Sequence, residues 1–116
     1  MHNIKFFQSD NGKEPVREFL DSLDTKMKAK ALREITLLRD NGQELREPHC
    51  KYIDKGIFEL RIKFSSNISR IYYFFYVNNN IILTHGFIKK TQKTPPREIE
   101  KAIKYKMAFE RRHSND

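Results

Sequence analysis

Cysteine occurs once, at position 50, so no internal disulfide can staple the chain. Glycine occurs only four times, too thinly for a glycine-rich phosphate loop. Clustered carboxylates are missing where the strands should lie: that region offers only Asp54 and Glu59, too few for a two-metal nuclease centre. Zinc is no better served, because His2, His85 and His113 fall at no ligand spacing and His49 merely adjoins Cys50. No charged and apolar leader opens the sequence, and with a lone cysteine the cytoplasm is the expected compartment. The longest stretch free of Asp, Glu, Lys and Arg runs from Ile71 to Ile88. Asn78, Asn79 and Asn80 interrupt it, which fits a hairpin turn between two strands and not a membrane span. No membrane, metal or cofactor is expected.

What the chain does have is basic charge in one half. Its 116 residues carry a net charge of +8, and residues 1–50 contribute none of it, with nine basic and nine acidic side chains. Residues 51–116 hold fourteen Lys or Arg against six Asp or Glu. Such asymmetry points to an anionic partner for the second half, most economically nucleic acid, with a merely soluble basic surface as the alternative. A hydrophobic content of 38% is enough for one modest core, so residues 1–116 are expected to form a single domain.

The periodicity changes along the chain. Residues 3–8 suit a first strand, and Pro15 with Val16, Phe19, Leu20 and Leu23 opens a short amphipathic helix. Asp24 is placed to cap a second helix, with Met27, Ala31, Ile35 and Leu38 on one stripe and Gly42 as its stop. From Lys51 the period becomes two: a brief strand at 51–53, then strands at 57–63, 68–77 and 81–89. Thr94 and Pro95 should start a last helix. The expected class is α+β: N-terminal strand, helical hairpin, antiparallel meander and C-terminal helix, the hairpin covering one sheet face.

Parity assigns the faces. Phe58, Leu60 and Ile62 point one way; Glu59, Arg61 and Lys63 point the other, towards solvent. A connection at 64–67 would set Lys63 opposite Ile68 and Arg61 opposite Arg70. A three-residue loop pairing Val77 with Ile81 would add Thr84, Gly86 and Lys90 to Arg70's face, with Gly86 as an open floor. His85 would then turn to the core, where a hydrogen-bonded structural role is favoured over catalysis. Like charges placed opposite one another cost stability, which implies a missing anion or Glu59 as a local counter-ion. For each basic residue taken alone, a solvated strand face is the favoured reading, since exposed charges usually need no explanation.

Three stretches, "FELR" at 58–61, "SRIYYFF" at 69–75 and "HGFIKKTQKTP" at 85–95, resemble the phage-derived HigB-like toxins of the RelE/ParE superfamily. The resemblance extends over nearly the whole chain, "VREFLDSL" included. It implies a RelE-like fold and a type II toxin that cleaves mRNA on the ribosome without a metal. It also implies neutralisation by a cognate helix-turn-helix antitoxin in a higher-order complex. By position, the site arginines fall on Arg61 and Arg70, and the strand-exit cation on Lys90. Glu59 or a lysine would take the 2′-hydroxyl proton and Lys90 would donate to the leaving oxygen. Lys51, Lys63, Lys89 and Lys93 would hold flanking phosphates and ribosomal RNA. The C-terminal tyrosine or histidine of many relatives has no obvious equivalent. A ParE-like DNA gyrase inhibitor and a non-enzymatic RNA-binding module are the alternatives; a gyrase inhibitor has no need of phosphate-directed arginines across a sheet.

Overall fold

The structure, a computed structural model, describes residues 2–114. The chain starts in β1 (Asn3–Phe6), and the helical hairpin follows as α1 (Pro15–Ser22) and α2 (Thr25–Asn41). Asp24 caps α2 as its sequence predicts, its carboxylate accepting the Met27 N–H at 2.9 Å. Gly42 ends that helix with φ of +54°, a conformation that glycine adopts without a Cβ penalty. The second half runs β2 (Cys50–Asp54), β3 (Ile57–Phe64), β4 (Asn67–Tyr76), β5 (Asn80–Ile88) and α3 (Pro96–Arg112). Thr94 does not cap α3. The N-cap is Pro95, extended at φ −60° and ψ 131°, because the following Pro96 disfavours helical backbone in the residue before it.

The strands form one five-stranded sheet in the order β1-β5-β4-β3-β2. The meander is antiparallel throughout, whereas β1 adds to β5 in parallel. The β3–β4 register matches the expectation, with Lys63 opposite Ile68 and Arg61 opposite Arg70. The β4–β5 register does not. Tyr76 pairs with Asn80, so the loop is Val77 to Asn79, and a β-bulge then shifts the pairing from Tyr73–Leu83 to Tyr72–His85. Thr84 is the extra residue. One inserted residue exchanges the faces of everything beyond it. His85 and Phe87 therefore share Arg70's face, and Gly86, opposite Ile71, lies on the other.

Both faces of the sheet are covered. Val16, Leu20, Met27, Ala31 and Leu38 of the hairpin pack on Leu60, Ile62, Ile71, Tyr73, Ile81 and Leu83. The opposite face, expected to meet solvent, carries α3: Ala102 and Phe109 pack with Phe7, Ile57, Tyr72, Phe74, Ile82 and Phe87. The Tyr76 hydroxyl donates to His113 O at 2.8 Å and fixes the far end of α3. No helix among the described residues is long and apolar enough to cross a membrane.

Gly86 is no open floor; it is the point where α1 meets the sheet. A Cβ built there would lie 2.3 Å from Phe19 Cδ2. Gly86→Ala should consequently destabilise the protein by roughly 1–3 kcal/mol, the cost of overpacking. Urea unfolding measures this, with Phe19→Leu in the same chain expected to recover part of the loss. An unchanged midpoint would mean that α1 yields freely.

Candidate active site

Arg61 and Arg70, cross-strand neighbours, are held apart electrostatically by Glu59. Arg61 Nε lies 3.1 Å from Glu59 Oε1, and Arg70 Nε lies 3.2 Å from Glu59 Oε2. Glu59 is the local counter-ion, and it is 2% exposed. Arg70, at 8%, is buried as well, which corrects the expectation that both residues face solvent. Burial is the main influence lowering the Arg70 pKa from the usual guanidinium value; Glu59 opposes it and the Arg61 charge adds to it. Although within ion-pair distance, Arg70 Nε and Glu59 Oε2 are not aligned for a hydrogen bond, and neither atom has another partner. Arg61 is the accessible member. Its side chain is 27% exposed and its Nη1 also reaches Glu47 Oε1 at 3.5 Å.

The free edge of β3 beyond the end of β2 opens into a cleft of about 420 Å³. Lys30 and Glu34 of α2 line it, with Pro48 and His49 from the loop before β2, Arg61 and Lys63 of β3, and Ile68 and Arg70 of β4. The Glu34 carboxylate is buried, with Oε1 3.1 Å from His49 Nδ1 and 3.9 Å from Lys30 Nζ. Sequence reasoning passed over this pair after finding no zinc spacing for His49. A charged residue at 34, on the same stripe as Met27, Ala31 and Leu38, was the available signal.

The other expected site residues are spread around this centre. Lys51 pairs with Glu59 across β2–β3 and is exposed. The Lys89 N–H donates to Ile68 O at 2.9 Å, which continues the ladder and sets Lys89 on Arg70's side. The bulge thus exchanges the two lysines: Lys90, expected there, is exposed in the connector with Lys93, and neither lines the cleft.

Farther along the Arg70 face lies a second polar group. The Tyr72 hydroxyl is buried without a hydrogen-bond partner, and burial foremost pushes its pKa up to about 12. His85, expected in the core with the hairpin, instead meets α3: its Nε2 is 3.1 Å from Glu98 Oε1 and its Nδ1 is 3.1 Å from Thr84 Oγ1. A neutral ring with Nε2–H donating to Glu98 leaves His85 Nδ1 and Tyr72 O, the latter 3.2 Å from Thr84 Oγ1, as alternative acceptors of the single Thr84 hydroxyl proton. Burial lowers the His85 pKa from 6.5 against the opposing Glu98 hydrogen bond, while Lys101 adds to the lowering. The unfolded chain takes up a proton near pH 6.5 that the folded chain refuses. This contribution to stability is accordingly complete above that pH and is lost as pH falls towards the folded pKa, at up to about 1.4 kcal/mol per pH unit. Urea unfolding at about pH 7.5 and about pH 5 should show a smaller acid loss in His85→Gln than in the wild type; equal losses would assign the acid sensitivity elsewhere.

Among the described residues no group of three or more His, Cys, Asp or Glu could hold a metal ion. The fold and site define a small α+β protein with two arginines on neighbouring strands held by a buried carboxylate. Residues 18–106 match the model of the family described as Phage derived protein Gp49-like (DUF891), and the chain belongs to that family. The family is associated with RelE- and HigB-like toxins. No curated protein matches the chain.

Proposed function

We propose that this protein is the toxin of a type II toxin–antitoxin system, a HigB-like endoribonuclease that cuts mRNA on the ribosome without a metal ion. The observation that carries the reading is the Arg61–Glu59–Arg70 cluster at the wall of a cleft that also holds Lys30 and Lys63. RNA brings its own nucleophile. The 2′-hydroxyl attacks the adjacent phosphorus, leaving a 2′,3′-cyclic phosphate and a 5′-hydroxyl, and what the reaction needs from the protein is stabilisation of added negative charge and movement of protons. Guanidinium suits the first task, since it stays protonated and donates two parallel hydrogen bonds to phosphate oxygens. Lys51, Lys63, Lys89 and Lys93 would hold neighbouring phosphates, and Lys90, exposed in the connector and outside the cleft, would join them and leave water to protonate the departing oxygen. A helix-turn-helix antitoxin is the partner this reading calls for.

Expression followed by mapping of mRNA 5′ ends tests the proposal. Translation should collapse and new 5′ ends should appear within translated reading frames. Cleavage on isolated ribosomes should persist in EDTA once ribosome integrity is controlled for. Unchanged ends together with blocked DNA gyrase would overturn it in favour of the ParE-like activity.

A further inference from the structure

Glu34 stands where its helix should be apolar. It is 4% exposed on α2, among Ala31, Ile35 and Leu38, and its Oε2 is buried with no hydrogen-bond partner. Desolvating a carboxylate is costly, and a buried ion pair seldom returns that cost as net stability. What the carboxylate does is orient a histidine. With Glu34 Oε1 at 3.1 Å, His49 Nδ1 is the protonated ring nitrogen of the neutral imidazole, so Nε2 carries the lone pair. The His49 side chain is 41% exposed and lines the cleft that contains Arg61 and Arg70. The ladder places it there, because Arg61 N–H donates to His49 O at 2.8 Å, one step beyond the Cys50–Leu60 pair.

We propose that His49 is the catalytic base of this cleft and Glu34 its positioning residue, an assignment that rests on the RNA-cleaving reading above. Glu59 is poorly placed for the same task, since each of its oxygens lies within ion-pair distance of an arginine and the side chain is buried. In the step, His49 Nε2 takes the proton of the 2′-hydroxyl while O2′ bonds to phosphorus and the bond from phosphorus to O5′ breaks. The departing 5′-oxygen takes a proton from water, and the imidazolium later returns its own to water. The buried Glu34 carboxylate stabilises the imidazolium formed in between, the role a buried carboxylate has beside a catalytic histidine elsewhere.

Single-turnover cleavage of ribosome-bound mRNA separates this chemistry from a merely structural tether. His49→Ala should lower the maximal rate by about 10²-fold or more with half-saturation nearly unchanged. Added imidazole should restore a measurable part of that rate, with cyclic-phosphate ends, and should do nothing for an Arg61 variant. His49→Gln distinguishes the roles further: its amide can still donate to Glu34, so tethering predicts wild-type cleavage and base chemistry predicts a rate as low as that of His49→Ala. Glu34→Gln should slow cleavage by roughly tenfold or more. Wild-type rates in His49→Gln, or a loss in His49→Ala that imidazole leaves untouched, would overturn the assignment while the RNA-cleaving reading stands. A wild-type protein that cuts no RNA would remove both.

Discussion

Arg70→Ala should lower the stability of the fold by about 3 kcal/mol, the low end of the range for breaking a buried ion pair, because Arg61 still neutralises one oxygen of Glu59. From strand parity alone the same substitution would be a surface change that spares folding. The difference lies in what covers the face. Arg70 is buried beside Glu59 Oε2, and deleting its guanidinium leaves that oxygen desolvated, with no hydrogen-bond partner and without the cation beside it. Urea unfolding should show a lower midpoint. Adding Glu59→Gln should recover part of the loss, since a neutral amide tolerates the vacated site better than a carboxylate. A wild-type midpoint in Arg70→Ala would place the residue on an accessible surface after all. Arg70 is thus a poor single probe of catalysis, because slow cleavage by a partly unfolded protein says nothing of phosphate contacts.

The parts of this architecture that were legible in the sequence are those that local chemistry fixes. The β3–β4 register follows from the short turn around Ser65, whose φ is +58°, and from the need to keep Leu60, Ile71 and Tyr73 on one buried side. Asp24 and Gly42 mark the ends of α2 for equally local reasons. The bulge at Thr84 had no such signature. Thr84 is β-branched and suits a regular strand; only the tertiary pairing of β4 with β5 makes it the extra residue, and with it His85, Gly86, Lys89 and Lys90 change sides. The coverage by α3 was partly legible, since Ile99, Ala102, Ile103 and Phe109 recur at helical spacing and need a surface to pack on. Arg61 and Arg70 could be paired from sequence, but the depth at which Arg70 lies depends on that helix. Glu34 and His49 are fifteen residues apart and meet only because the hairpin folds over the edge of β3.

Arg61→Lys should leave the fold intact and slow cleavage by about 10²-fold, on the scale of losing one preorganised donor at the reacting group. Arg61 has two tasks that other arginine substitutions would confound. One is to neutralise Glu59 Oε1 at 3.1 Å, and the other is to present the accessible part of its guanidinium to the cleft. A lysine ammonium performs the first as a point charge, but it lacks the planar fork that grips two phosphate oxygens at once. The maximal rate at saturating ribosomes should therefore fall while half-saturation moves little, because contacts that strengthen only as charge builds on the phosphate act on the chemical step. An unfolding midpoint equal to that of the wild type shows that Glu59 is still neutralised. Wild-type cleavage by Arg61→Lys would mean that the position requires only a positive charge beside Glu59, and the phosphate would then have to be gripped by Lys30 and Lys63, the remaining cations of the cleft beside the buried Arg70.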